Sequence, residues 1–346
     1  MKQLIIGEND AGQRLDKFLH KAFPDLPSSL CYKYIRLKRI KVEGARARPE
    51  QKLQPGQRLS LYIADEFLGE AGKKPLFLSA SGEVRVVYED ASTLLVDKPA
   101  GLLCHEDARE KRDTLSNRLL RYLYEKGEYD PGREQSFTPA LCNRIDRNTQ
   151  GLVMAAKTAA AQRELCEAIR ERMLDKRYFC VARGKLPHSR DRLTGYHTKD
   201  SASGEVCITP YPRPGAKTAV TEYRVLAFDG ERSLLEVLLH TGRTHQIRAQ
   251  LAAIGHPLEG DAKYGVHHLQ PGGLRFQALC SFSLRFHSLP ESWSISYLSG
   301  REFQAGEVDF ARFYFGDFFA QLLQLPAESE RLDLTAHPMM KKRERT

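Results

Sequence analysis

Asp146 is the one carboxylate in a run of cations, and any chemistry in this chain can be built from it. It stands between Arg144 and Arg147 in residues 143–150, a polar stretch with neither helical nor strand period, which reads as a loop. Nearby cations favour the ionised form of a carboxylate, the form that attacks carbon or removes a proton. Local chemistry leaves a plainer reading open: structural ion pairs also set carboxylates beside arginines, so Asp146 could simply close a turn. A second polar cluster, Gly242-Arg243-Thr244-His245-Gln246-Ile247-Arg248, follows about 100 residues later. His240, His245 and His256 are spaced by five and eleven residues, which suits no helical metal pair, so no metal is expected.

These residues need elements to hold them. Gly151 ends the loop, and the apolar run 152–156 has the length of a buried strand. Thr158 can cap a helix over 159–174 with Leu165, Ile169 and Met173 inward. Residues 175–184, containing Tyr178, alternate as a strand, and 275–286 reads as a closing strand. Upstream, 84–89 and 94–98 form two strands turned at Asp90, followed by a helix capped by Asp113 and ended by Gly127. Asp229-Gly230 turns a hairpin of 217–227 and 233–240. Residues 185–216, rich in Pro, Gly, Ser and charge, read as turns on the surface, and 303–325 as a terminal helix.

A smaller unit precedes these. Leu15, Phe18 and Leu19 share one helical face, Ser28 or Ser29 can cap a second helix, and 40–43 and 59–63 alternate as strands. Arg14, Lys33, Arg36, Lys38, Arg39 and Lys41 give this unit a basic surface able to neutralise phosphates. The sequence thus divides into a small α+β domain with a basic surface at 1–66, a linker at 67–82, a domain at 83–300, and a helical extension with a basic tail at 301–346.

At 346 residues the chain can fill two cores. Its net charge of +9 points to a polyanion, nucleic acid before membrane. Seven scattered cysteines without a Cys-x-x-Cys pair argue against a disulfide framework and fit a reducing cytosol. The apolar stretch within residues 1–7 is too short for a secretory signal and no run reaches membrane-spanning length, so the expectation is a cytoplasmic monomer away from membranes.

Arg144, Asp146, Arg147, Gly151, Leu152 and Lys157 reproduce the signature loop of the RluA family of pseudouridine synthases, which this stretch resembles. Asn143, Ile145 and Gln150 depart from it, where His, Leu and Ser are usual. Residues 242–248 match the family's third motif without substitution, and Gly255-His256-Pro257-Leu258 and Gly260-Asp261 with Lys263-Tyr264-Gly265 continue it. Tyr178 fills the aromatic position of a second motif, and Gln277 stands where a later element has His. The N-terminal unit resembles the RNA-binding domain of ribosomal protein S-four type. The resemblance implies an α+β fold: a catalytic domain with a mixed, mostly antiparallel sheet and flanking helices beside that small domain. It implies isomerisation of uridine in RNA, ribosomal RNA ahead of transfer RNA, without cofactor or metal. Asp146 would be catalytic, Arg248 would pair with it, Arg144 would fill the gap left by the flipped base, and Tyr178 and Ile247 would lie at the substrate. The alternative is an RNA-binding or ribosome-assembly protein that keeps this fold without the chemistry.

Overall fold

The computed structural model describes residues 1–68, 75–132, 135–200, 204, 206–265 and 274–324. The N-terminal part runs β1 (Lys2–Ile5), α1 (Leu15–Ala22), α2 (Ser28–Arg36), β2 (Ile40–Val42), β3 (Ala45–Arg46) and β4 (Arg58–Leu61). Its strands form an antiparallel sheet in the order β1-β4-β2-β3. Leu15, Phe18 and Leu19 of α1 close on Cys31 and Ile35 of α2 and on Leu59 and Leu61 of β4, giving this part its own core. Three details differ from the sequence reading, the first being that the two-residue β3 after the Gly44 turn was not read as a strand. β1 was not expected, because its alternation spans only four residues. At the start of α2, Pro27 occupies the cap position without a side-chain bond, and Ser28 is already helical, its Oγ 2.6 Å from His20 Nε2.

The larger part comprises β5 (Val86–Glu89), β6 (Thr93–Lys98), α3 (Leu115–Glu125), β7 (Ala140–Leu141), β8 (Gln150–Ala156), α4 (Ala159–Arg170), β9 (Leu174–Arg183), β10 (Arg190–Lys199), β11 (Val206–Thr209), β12 (Lys217–Phe228), β13 (Arg232–Leu239), α5 (Gln246–Ala253), β14 (Leu279–Phe286), β15 (Glu302–Gln304) and α6 (Asp309–Gln324). One mixed sheet runs β11-β10-β12-β13-β9-β14-β8-β6-β5, with β7 beside β8 and β15 beside β14. Its pairings are antiparallel except that of β8 with β14, which is parallel and joins Gln150 to Cys280 and Gly151 to Ser281.

Successive side chains of a strand point to opposite faces. Leu95, Leu152, Met154, Phe179 and Val181 pack with α4 and α6. Their neighbours Leu94, Val96, Val153, Tyr178 and Cys180 pack with α3 and α5. β6, β8 and β9 are therefore covered on both faces, which explains the apolar runs of β6 and β8 and of residues 178–182, and corrects the alternation expected over 175–184. The alternating direction of side chains sends Tyr178 to the α5 face.

Other expectations are corrected. Residues 185–216 hold β10 and β11 rather than surface turns alone; charged and small residues on β10 hide its period, while pairing with both β11 and β12 fixes it as a strand. α4 ends at Arg170, and Arg172 turns the chain at φ 58° into Met173 and β9. Thr114 caps α3, accepting from Asn117 N at 3.2 Å, while Asp113 instead pairs with Arg118. Within the expected linker, Leu76–Ser79 forms a turn that buries Phe77 against Tyr124 and Tyr129. Residues 69–74 of that linker and the basic tail at 341–345 lie outside the described residues.

Polar contacts join the two parts. Asn9 Oδ1 accepts from Ala159 N (3.1 Å) at the start of α4. Buried Asp10 accepts from Ser136 N (3.0 Å) and Oγ (2.5 Å), and Gln13 Nε2 donates to Ser136 Oγ (2.7 Å).

Candidate active site

The loop before β8 and the start of α5 meet over the middle of β9, at Tyr178, around a cavity of about 130 Å³. Asp146, Tyr178, His245, Ile247 and Arg248 line it. Pockets for drug-sized ligands run to roughly 300–1,000 Å³, so this one has room for a single flat ring.

The loop is fixed from below. Lys98, fully buried at the end of β6, donates Nζ to the carbonyls of Pro99 (2.9 Å), Leu102 (2.7 Å) and Arg147 (2.9 Å). Burial pulls the Lys98 amine down to about 8, and these three carbonyls replace the water it lost. Gly101 N also donates to Arg147 O (2.9 Å). Buried Ile145 accepts at its carbonyl from Cys104 Sγ (3.4 Å). Buried Thr149 accepts from Gln277 Nε2 (3.1 Å), and Asn143 Oδ1 accepts from Met154 N (2.7 Å). Gln150 Nε2 donates to Glu307 O (3.1 Å). Asn143, Gln150 and Gln277, which depart from the family pattern, thus each brace the loop.

Gly151 belongs to β8 rather than ending the loop. It has φ 111°, and a Cβ placed on it would lie 2.2 Å from Ser281 O, so close pairing of β8 with β14 requires glycine here.

α5 is held by two buried glutamines. Gln246 Nε2 donates to Val220 O (3.1 Å) and Thr221 Oγ1 (2.8 Å), and Gln250 Nε2 donates to Leu193 O (3.1 Å) and Ala219 O (3.2 Å). These bonds pin the helix to β10 and β12. His245 starts it in a left-handed conformation, φ 53°, which an L-residue adopts at a cost of about 1 kcal/mol or more. Its Nδ1 meets Tyr264 Oη at 2.8 Å and its Nε2 lies 3.9 Å from Asp146 Oδ2. Burial takes the His245 imidazole down to about 4, so it is neutral at pH 7.

Arg248, 7% exposed, donates Nη1 to Asp146 Oδ2 at 2.9 Å. The expected pairing is present, but it is a single bond. The fork goes elsewhere: Nε and Nη2 donate to Asp261 Oδ2 (2.7 Å) and Oδ1 (2.8 Å). Burial opposes the charge on Arg248, and the two carboxylates more than restore it. Nor do the neighbouring arginines clasp Asp146. Arg144 is exposed at the rim of the cavity, and Arg147 turns away to donate Nε to Gly101 O (3.1 Å). Tyr178 is 6% exposed in the cavity wall, and burial pushes its hydroxyl up to about 12.

Residue type and spacing do not single out Lys98, Asp261 or the His245–Tyr264 pair. Asp261 lies inside a family motif with no partner in sequence to suggest its role, and nothing in the sequence around Lys98 signals burial. No group of three His, Cys, Asp or Glu residues able to hold a metal occurs among the described residues, and no helix there is long and apolar enough to cross a membrane.

In the N-terminal part Lys33, Arg36, Lys38 and Arg39 are exposed, and Lys41 is half-buried over the Tyr62 ring. Arg14 is half-exposed, with its guanidinium forked onto Asp16. Arg36 joins Arg46 and Arg48, which were not anticipated, around a groove of about 480 Å³.

Comparison with known proteins places this architecture. The RNA pseudouridylate synthase family profile matches residues 92–253, and the S4 domain profile matches 13–59. An uncharacterized RNA pseudouridine synthase of Aquifex aeolicus is 33% identical over 73% of this chain and 77% of its own. Ribosomal large subunit pseudouridine synthase D of Salmonella typhimurium is 33% identical over 78% of this chain and 77% of its own. The human RNA pseudouridylate synthase domain containing 1 shares the fold, with a TM-score of 0.51 at 24% identity over 65% of this chain and 84% of that one. The protein is an RNA-modifying isomerase. It belongs to the RNA pseudouridine synthases, and among them to the RluA type, with an S4 domain at its N-terminus.

Proposed function

We propose that Asp146 is the catalytic carboxylate and that the substrate is a uridine in ribosomal RNA. The observation that carries the site is the Asp146 carboxylate, 24% exposed, facing a base-sized cavity and oriented from behind by Arg248. The ribosomal target is supported by the names of relatives such as the Salmonella enzyme. In the reaction the bond from ribose to N1 breaks, the uracil turns, ribose is joined to C5, the C5 proton leaves and N1 gains one. Asp146 acts on the sugar. Drawing the base from its stack costs a few kcal/mol. Arg144, exposed at the rim, takes the vacated space, while the Tyr178 ring and Ile247 receive the base. The basic face of the S4 domain holds the phosphates. Seven free cysteines fit a reducing cytoplasm.

Tritium release from RNA labelled at C5 of uridine tests this reading. Wild type should release tritium from ribosomal RNA, and Asp146→Asn should not, while still binding RNA. Turnover by Asp146→Asn would remove the assignment, and release from transfer RNA alone would move the target. Asn143, Gln150 and Gln277 were the only residues favouring a non-catalytic protein, and each has a bracing bond in the loop.

A further inference from the structure

We propose that Asp261 is a positioning residue that aims Arg248, and through it Asp146. The inference rests on the assignment of Asp146 above and deepens it. A guanidinium has five donors in a rigid plane, and whichever carboxylate takes two of them in parallel sets the orientation of that plane. At Arg248 that carboxylate is Asp261, with bonds of 2.7 and 2.8 Å, and Asp146 receives one bond from the remaining edge. Asp261 is also the better-fixed partner. Its side chain is 0% exposed against 24% for Asp146, and its Oδ1 accepts from Lys263 N (3.0 Å) and Tyr264 N (3.2 Å). The turn is held in place by Gly260, at φ 69°, where a Cβ would lie 2.4 Å from Phe276 O.

One carboxylate therefore orders two things. It locks the guanidinium plane, and it shapes the turn that brings the Tyr264 ring to 5.2 Å from the Arg248 guanidinium and the Tyr264 hydroxyl to His245. Asp261 also satisfies most of the buried positive charge. Asp146 is left with one directed bond and an open face towards the cavity, rather than being enclosed by a fork of its own. That division of labour suits a carboxylate that must be held still and yet remain reactive.

Asp261→Asn separates the two jobs. An amide keeps the shape and one oxygen able to accept from Lys263 N and Tyr264 N, but turns an NH₂ group towards Arg248 Nε–H, so the fork is broken while the turn is kept. The expected result is a fall in kcat of about 10- to 100-fold, with KM and RNA affinity close to wild type, measured by tritium release under saturating RNA. Because Asp261 acts through Arg248, the double variant Asp261→Asn/Arg248→Ala should be no slower than Arg248→Ala alone. Equal kcat in Asp261→Asn and wild type would overturn the proposal, and so would a double variant whose loss is the product of the single losses. Thermal melting supplies an arm that needs no activity. Arg248→Ala strands the buried Asp261 carboxylate, so adding Asp261→Asn to it should raise Tm; no rise would overturn the pairing. Lack of turnover by wild type on every RNA would instead count against the assignment of Asp146, which keeps the two failures apart.

Discussion

At Gly151 one hydrogen atom in place of a side chain decides whether the signature loop can form. β8 and β14 run parallel there, and a methyl group would be driven into the Ser281 carbonyl from a backbone angle that L-residues rarely adopt. Gly151→Ala should cost on the order of 3 kcal/mol, since steric overlap and backbone strain each contribute about 1–3 kcal/mol. A denaturant titration would read this as a lower midpoint at unchanged slope, and a wild-type midpoint would show that the strands can part at no cost. Glycine's freedom at 151 was legible in the sequence, but its cause was not, because the contact comes from a residue 130 positions away. The same limit explains why Asp146 and Arg248 could be paired from motifs while Asp261 could not be seen as the holder of Arg248. A motif records residue types in order, whereas a guanidinium's choice between two carboxylates is set by how the turn at 260–264 lies against α5.

The elements were legible where one periodicity dominated. The apolar runs of β6 and β8 declared themselves as strands and Thr158 was correctly read as the cap of α4, whereas β9 was read as a strand but as an alternating one, although both its faces are covered. β10 was missed because its strand pairing lies between β11 and β12 with charge and glycine along its length, and Asp113 was preferred over Thr114 because both are good cap residues one position apart. Between elements, Glu89 on β5 makes a set of bonds that composition hides. Burial opposes its ionisation, but hydrogen bonds from Lys126, Tyr122 and Lys157 take the carboxyl down to about 2, tying β5 to the end of α3 and to Lys157 after β8. The unfolded chain, with an ordinary glutamate near 4.5, then binds more protons than the native state between the two values. This contribution to stability is whole above about pH 4.5 and is lost as pH falls towards 2. Glu89→Gln should therefore lower Tm clearly at about pH 6 and much less at about pH 3. A gap of the same size at both would mean that the ion pairs add nothing to folding.

Residues 1–68, with 13 Lys and Arg against 8 Asp and Glu, carry just over half of the net charge of +9, and the basic helix of the S4 domain was read from composition alone. Folding adds what a linear run cannot show. β3 and the turn after it bring Arg46 and Arg48 beside Arg36 around one groove, and the bonds from Asn9, Asp10 and Gln13 tie this domain to α4 and to Ser136 of the catalytic part. On the proposed assignment, phosphates meet this groove while the chemistry belongs to Asp146, Arg248 and Asp261, none of which lines it, so the two functions should separate in experiment. Removing one cation that neutralises a phosphate should flatten the dependence of log affinity on log salt by about 0.7–0.9. Replacing Arg36, Arg46 and Arg48 together by Ala should then reduce the slope by about 2–3 and raise KM for long RNA, whereas Asp261→Asn should lower kcat at an unchanged slope. Binding titrations across a salt series decide it. An unchanged slope in the triple variant would mean that the groove lies off the path of the RNA.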